Sequence, residues 1–178
     1  AVGLEPMVQL QVTVPIDALG AVTGHLSSRR GRMLGSTALA GQQAPAVELT
    51  PLGDKAMWAD ADLRDGEMKL VNFWASWCTP CVRELPSLNR LRKEFADQPF
   101  EILGVNVAEP PNRLTRFFKR QPIDFPVLYD RESEAFYAWN VKGLPTSFVI
   151  DREGRIRYLV RGAMEWDDAD TISIIESL

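Results

Sequence analysis

The distribution of hydrophobic residues in the second part of the chain predicts alternating strands and helices. Met68–Trp74 and Phe100–Val107 are nearly continuous apolar runs of strand length, typical of strands buried on both faces of a parallel sheet. Between them, Pro80 and the residues up to Phe95 have helical spacing of apolar positions. The face that this helix would bury consists of Leu85, Leu88, Leu91 and Phe95.

Shorter elements complete this part of the chain. The pattern predicts helices at 112–121, 133–139 and 167–178, and strands at 127–129, 147–150 and 156–160. Asp151–Gly154 (DREG) between the last two strands is a hairpin turn signal. Two parallel strands joined by a helix, followed by an antiparallel hairpin and a last helix, describe an α/β protein with the thioredoxin fold, a central mixed sheet flanked by helices.

The first part of the chain has a different pattern. Met7–Val14 alternates apolar and polar residues, which predicts a half-buried strand, and Ile16–Ser28 has the spacing of a short amphipathic helix. Gly35–Pro45 is rich in Gly, Ala, Ser and Gln and is interpreted as a linker. We therefore expect a small β-α-β appendage with its linker at 1–42 and the main domain at 43–178. An appendage of about 40 residues buries too little core to be stable alone.

Composition narrows the functional classes. The chain has 178 residues, 46% hydrophobic and 25% charged, as in soluble globular proteins. A net charge of -4 gives no reason to expect nucleic-acid or membrane-surface binding. No apolar run reaches the length of a membrane span, and Ala1–Leu10 lacks the pattern of a signal peptide, so neither signal nor anchor is predicted. A cytosolic protein and a mature or trimmed chain both fit.

The chain has two cysteines, Cys78 and Cys81, in the sequence WCTPC. A disulfide across so short a loop removes little chain entropy, so stabilisation is a poor reason for the pair. The single histidine, His25, is far away in sequence, which makes a zinc site a weak hypothesis, and we expect no metal and no cofactor. A redox pair is the better interpretation. Soft thiolates also suit Cu(I), which leaves a metallochaperone as an alternative.

The spacing of the two cysteines suits disulfide exchange. Cys78 would lie at the start of a helix, where unpaired backbone N–H groups and the helix dipole favour a thiolate, the attacking species. Cys81, about one turn further on, would be shielded and would resolve the mixed disulfide that Cys78 forms. Pro80 suits the first helical turn, and Trp77 and Trp74 are expected to wall the site.

Other residues extend the candidate site. Glu84 lies three residues after Cys81 and is a candidate proton carrier, although a solvated helix acid is an alternative. Asn72 occupies the strand before the pair, where packing is the favoured role. Leu144, Pro145 and Thr146 precede another strand, and we expect a cis peptide bond at Pro145 that leaves the backbone of Leu144 available to a partner's extended chain.

Three segments resemble the TlpA/ResA/CcmG branch of the thioredoxin superfamily over roughly Gln43–Leu178. They are LVNFWASWCTPCVRELPSLNRL, FEILGVNV and GLPTSFVIDREGRIRY. This branch consists of membrane-tethered, extracytoplasmic thiol reductases of bacteria that keep the cysteines of apocytochrome c or of copper sites reduced. The resemblance implies that Cys78 and Cys81 are the redox pair, that Glu84 is the branch's acid near the active site and that Pro145 is its cis-proline.

The resemblance also implies partners and a location. We expect disulfide-bearing proteins as substrates, a membrane thiol donor as the source of electrons and an extracytoplasmic location. The predicted function is thus a thiol–disulfide oxidoreductase that reduces partner disulfides, in cytochrome c maturation or copper-site assembly. A disulfide oxidant and a Cu(I) metallochaperone are the alternatives.

The first part resembles the start of the fifth domain of translation elongation factor G, which is a ferredoxin-like sandwich. The segment that carries this resemblance is LEPMVQLQVTVPIDALGAVTGHLSSRRGRMLGS. It corresponds to half of that domain, so neither ribosome binding nor nucleic-acid binding is expected, and the basic turn Arg29–Arg32 is interpreted as solvated. Exposed strand edges in such a half-domain make a dimer through the N-terminal part a further hypothesis.

Overall fold

The computed structural model describes residues 11–13, 41–46, 48–52 and 59–178. These residues form one mixed sheet with helices packed against it. The strands are β1 (Gln11–Thr13), β2 (Thr50–Pro51), β3 (Met68–Trp74), β4 (Phe100–Val107), β5 (Val127–Asp130), β6 (Thr146–Ile150) and β7 (Ile156–Arg161). The helices are α1 (Thr79–Glu94), α2 (Pro111–Phe118), α3 (Glu134–Ala138) and α4 (Ala169–Glu176), with a 3-10 helix at Asp60–Arg64.

The strand order places β3 at the centre of the sheet. The order is β1-β7-β6-β3-β4-β5-β2, in which β3 pairs in parallel with β4 and antiparallel with β6. α1 connects β3 to β4, and β6 and β7 form the predicted antiparallel hairpin. This topology confirms the predicted thioredoxin fold.

Two hydrophobic cores lie on the two faces of the sheet. Leu70 and Trp74 of β3 belong to the core that includes the apolar faces of α1, α2 and α4. Val71 and Phe73 of the same strand belong to the other core, which includes Trp139 and the buried side of α3. Because successive side chains of a strand point to opposite faces, β3 is buried along its whole length, as its continuous apolar run predicts.

Two elements were not predicted from the pattern, and three helices, α2, α3 and α4, are shorter than expected. The strand β2 and the 3-10 helix are too short to leave a periodic signal. α2 ends at Phe118, because the N–H groups of Arg120 and Gln121 both bond to the carbonyl of Phe117 and close a last turn.

The described part of the N-terminal segment joins the edge of the sheet. β1, which lies within the predicted strand 7–14, pairs antiparallel with β7. At the end of the predicted linker, the Ala44 N–H bonds to Gly154 O at 2.9 Å, and the Ile156 N–H bonds to Gln42 O at 2.8 Å. The predicted helix 16–28, His25 and Arg29–Arg32 lie outside the described residues.

No helix in the described part of the chain is long and apolar enough to cross a membrane.

Candidate active site

The two cysteines lie where β3 ends and α1 begins. Cys78 is the N-cap residue of α1 and is joined to Cys81 by a disulfide. The Cys78 Sγ accepts the backbone N–H of Cys81 at 3.3 Å, so one of the unpaired donors of the first turn already faces this sulfur. Cys78 is 6% exposed and Cys81 is 0% exposed. The geometry therefore distinguishes an outer sulfur at the helix N-terminus from an inner one within the core.

Glu84 lies one turn after Cys81 on the buried side of α1. It is 2% exposed, which corrects the alternative of a solvated helix acid. Its Oε1 accepts a hydrogen bond from Asn72 Nδ2 at 2.8 Å. Its Oε2 accepts the Met164 N–H and the Trp166 Nε1–H, both at 3.2 Å. The segment after β7 thus closes over this carboxyl group.

Burial raises the pKa of Glu84 from 4.5 to about 7, and the charge of Glu165 acts in the same direction. The hydrogen bonds from Asn72, Trp166 and Met164 oppose this rise, since each stabilises the carboxylate. Near neutral pH this group therefore both accepts and donates a proton readily. A carboxyl of this kind, one turn from the buried Cys81, suits proton transfer to or from that sulfur.

Asn72 has a polar role that the sequence did not reveal. Its Nδ2 bonds to Ser147 Oγ at 2.9 Å as well as to Glu84, whereas packing is the role that the apolar pattern of β3 favours. Its Oδ1 is buried with no hydrogen-bond partner among the described residues. Trp166 is buried, and its Nε1–H donates to Glu84. Their positions depend on tertiary packing, which local patterns do not record.

The Leu144–Pro145 peptide bond is cis, as the sequence predicts. Thr146 pairs with Phe73 of β3, which places the start of β6 at the same edge of the sheet as the end of β3. The Pro145 carbonyl accepts the Gly162 N–H at 2.9 Å, and the Thr146 hydroxyl donates to Gly143 O at 2.8 Å. Leu144, Pro145 and Thr146 are therefore held at the edge that carries the cysteines.

The tryptophans of the site differ in exposure. Trp77 is 58% exposed beside Cys78, and Pro80 is also exposed, so both are available to a partner. Trp74 is fully buried, with its ring centroid 5.5 Å from that of Phe117. It belongs to the same core cluster as Cys78 and Cys81, so it lines the site from within the core and not at the surface.

Glu109 is a site residue that sequence reasoning missed. This carboxylate is 2% exposed and accepts both the backbone N–H and the hydroxyl of Ser76 at 2.6 Å. Asn106 Nδ2 donates to it at 2.8 Å, and Arg113 pairs with it at 3.2 Å. It fixes the turn that leads into Cys78. The sequence contains one signal for it, an acid just after a predicted parallel strand. Functional sites of open α/β sheets lie at this edge.

In the described part of the chain, no group of three or more His, Cys, Asp or Glu side chains is placed so that it could hold a metal ion.

Comparison with known proteins gives two family matches. The Redoxin family model matches residues 39–177, and the model of the elongation factor G C-terminus matches residues 2–51. The two matches overlap at the predicted junction of the two parts. The second match agrees with the resemblance of the N-terminal segment.

Individual relatives agree with the first match. The chain is 44% identical to the thiol:disulfide interchange protein HelX of Rhodobacter capsulatus, over 74% of this chain and 73% of that protein. It is 38% identical to the thiol-disulfide oxidoreductase ResA of Geobacillus kaustophilus, over 73% of this chain and 74% of that protein. Among solved structures, a thiol:disulfide interchange protein DsbE from Chlorobium tepidum superposes with a TM-score of 0.70 at 28% identity, covering 78% of this chain and 96% of that one.

Proposed function

The chain belongs to the Redoxin family and is a thiol–disulfide oxidoreductase, and we propose from this premise that it works as a reductant of disulfides in partner proteins. The observation that carries the proposal is the asymmetry of the pair. Cys78 caps a helix and keeps a small exposed fraction of 6%, whereas Cys81 is fully buried one turn before an acid with a pKa of about 7. An outer nucleophile and an inner resolving thiol with its own proton acceptor are the parts that dithiol–disulfide exchange needs, and the resemblance to the reductase branch supports the reducing direction.

The exchange consists of two substitutions at sulfur. The Cys78 thiolate attacks one sulfur of the partner's disulfide, forms a mixed disulfide and releases the other sulfur as a thiolate that takes up a proton. Cys81 then loses its proton, attacks the Cys78 sulfur and releases the second partner sulfur. The partner gains two electrons and two protons, and the enzyme is left with the Cys78–Cys81 disulfide that the structure contains.

Glu84 serves the second substitution. The attacking species is a thiolate, so the buried Cys81 must give up a proton before it reacts. A carboxylate near its own pKa at neutral pH accepts that proton at little cost, and water has poor access to this position since both side chains are buried. Glu84 is negatively charged before it accepts the proton and neutral afterwards. Its carboxylate form is stabilised by hydrogen bonds from Asn72, Trp166 and the Met164 N–H.

The partner's chain binds at the edge formed by Trp77, Pro80, Leu144, Pro145 and Thr146. Trp77 offers an exposed apolar ring beside the reactive sulfur. The segment before β6 lies at the same edge of the sheet as the end of β3, and an extended partner strand laid along Leu144 would bring its disulfide to Cys78.

The cellular setting belongs to the proposal as well. The resemblance to the membrane-tethered branch favours an extracytoplasmic location, a membrane thiol donor, and the cysteines of apocytochrome c or of copper sites as substrates. The predicted junction near residue 42 divides the redox domain from the N-terminal segment, whose described strand β1 nevertheless pairs with β7, and we assign that segment no activity. A dimer through that appendage stays a prediction.

The reductase activity is tested with single-cysteine variants and a peptide that carries an oxidised Cys-x-x-Cys-His segment. The reduced protein is expected to convert this peptide to its dithiol, Cys78→Ser to have no activity, and Cys81→Ser to accumulate the mixed disulfide, detected by mass spectrometry. If the reduced protein leaves the peptide disulfide intact while the oxidised protein rapidly oxidises the dithiol peptide, the proposed direction is wrong.

A further inference from the structure

The segment 109–121 is fastened to both sides of the cysteine pair. At its start, Glu109 accepts the N–H and hydroxyl of Ser76, two residues before Cys78. At its end, Gln121 Nε2 donates to the carbonyl of Val82, directly after Cys81, at 3.1 Å. The segment that contains α2 is thereby held beside the turn and the helix that carry the dithiol.

The inner face of α2 is apolar and fixes the orientation of the helix. Leu114 is fully buried, and Phe117 and Phe118 pack against Trp74, with ring centroids 5.5 and 6.4 Å away. The helix therefore presents the same outward residues to solvent. The outward residues of α2 and of the turn directly after it include four cations, Arg113, Arg116, Lys119 and Arg120, which are all exposed.

These four cations, which we name the α2 cationic face, lie in a stretch without acids. Residues 110–123 contain no Asp or Glu, although the chain has a net charge of -4. Arg113 pairs with Glu109, whereas Arg116, Lys119 and Arg120 form no ion pair with the described residues. Elsewhere, unpaired exposed cations among the described residues stand singly, as Arg83, Lys142 and Arg152 do, and others pair with carboxylates, as Arg90 does with Asp167. The concentration of positive charge beside the dithiol is thus a local feature of an otherwise acidic protein.

We propose that the α2 cationic face recognises an acidic segment that flanks the disulfide of the partner protein. Unlike charges across an approach surface raise the association rate and favour partners of matching charge, an effect that salt weakens. A protein segment is favoured over a lipid surface because the face is fastened on both sides of the reactive pair, where the partner's own chain must pass. This inference rests on the proposed reductase function.

The test measures exchange rates of the reduced protein with two peptides that share one oxidised Cys-x-x-Cys core. One peptide has four Asp or Glu residues beside the core, and the other has Ser and Asn at those positions. At low ionic strength the acidic peptide is expected to react about tenfold faster, and the advantage is expected to fall towards unity in 0.5 M NaCl. Neutral hydroxyethyl disulfide serves as a probe of the chemistry alone.

Matched variants assign the effect to this face. Arg116→Glu with Arg120→Glu is expected to abolish or reverse the preference for the acidic peptide, with the hydroxyethyl disulfide rate unchanged. Lys93→Glu with Arg152→Glu has the same change in net charge on exposed residues at the opposite end of the sheet, with the loss of one exposed ion pair from Lys93 to Asp124, and is expected to retain the preference.

Several outcomes separate this inference from the function on which it rests. If neither peptide is reduced, the proposed reductase function fails. If both peptides are reduced equally, or if the two pairs of variants behave alike, the docking surface is wrong while the reductase function stands. If the peptides show no difference but phosphatidylglycerol vesicles bind the parent and not the Arg116→Glu, Arg120→Glu variant, the face is a membrane contact and the proposal is overturned.

Discussion

Asn72 Nδ2 lies 2.8 Å from Glu84 Oε1, and this hydrogen bond joins the central strand to the helix that carries the cysteines. Both side chains are buried. The amide stabilises the Glu84 carboxylate without adding a charge, so the pKa of Glu84 stays near 7 in spite of its burial. When Glu84 is protonated, rotation of the amide would let the unpartnered Asn72 Oδ1 accept a hydrogen bond from the carboxyl O–H. The pair would then have a hydrogen bond in both charge states of Glu84.

The stability of the oxidised protein depends on pH through Glu84. Because burial raises the pKa of Glu84 from 4.5 to about 7, the folded protein retains a proton that the unfolded chain releases in this range. The free energy of unfolding therefore falls as pH rises from 4.5 to 7, by about 3 kcal/mol in total. Glu84→Gln is expected to remove this loss. Urea unfolding across the range measures it, with exposed Glu132→Gln as the control; an unchanged slope in Glu84→Gln would contradict the assignment.

A second carboxyl at position 72 raises the pKa further. Asn72→Asp places two carboxyl groups within hydrogen-bond distance, so they share one proton and the pair titrates above the range of Glu84 alone. The loss of stability is expected to extend above pH 7 in the oxidised protein. The same urea series measures this, with exposed Asn112→Asp as the matched control. A titration identical to that of the parent would mean that the two side chains do not interact.

Glu109 holds the turn before Cys78. Replacing Glu109 is therefore expected to lower stability more than replacing Ser76, whose hydroxyl is one of its donors. Glu109→Ala leaves both Ser76 donors and Asn106 Nδ2 without their acceptor, and is expected to lower the free energy of unfolding by about 3 kcal/mol. Ser76→Ala removes one hydroxyl and is expected to cost about 1 kcal/mol. Chemical denaturation measures both, with exposed Ser173→Ala as the control. Equal losses for Glu109→Ala and Ser173→Ala would show that Glu109 holds nothing.

Gly104 of β4 has no room for a side chain. A Cβ there would lie 2.9 Å from Phe125 Cε2 and 3.0 Å from Trp74 Nε1, and both rings are buried in the core beneath α2. Gly104→Ala is expected to lower the free energy of unfolding by about 1–3 kcal/mol. Gly143→Ala is the matched control, since nothing lies within 4 Å of its Cβ position. Thermal and urea unfolding measure the difference. If both variants are as stable as the parent, position 104 does have room for a methyl group.

The parts of the fold that the sequence predicts are those set by neighbouring residues. The apolar run of Met68–Trp74 and the helical spacing of α1 predict the buried centre of the sheet, because burial on both faces leaves a continuous pattern. The CxxC spacing predicts the helix cap, which is set within one turn.

The partners of Glu84 were beyond such reasoning. Trp166 is 82 residues from Glu84 in sequence, and Ser147 is 75 residues from Asn72, so each hydrogen bond depends on the completed fold. Glu109 and Ser76, 33 residues apart, meet because two parallel strands end at the same edge. Long-range polar contacts of this kind have no local pattern from which to predict them.

The direction of electron flow is the central claim, and the reduction potential of the Cys78–Cys81 pair tests it most directly. Equilibrium titration in glutathione and dithiothreitol buffers, with the oxidised and reduced forms separated after thiol alkylation, gives the midpoint. If the protein reduces partner disulfides, the reduction potential of the pair is expected to be more negative than about -200 mV, towards the roughly -270 mV of thioredoxin. A midpoint near -120 mV, in the range of strong dithiol oxidants such as DsbA, would contradict the account.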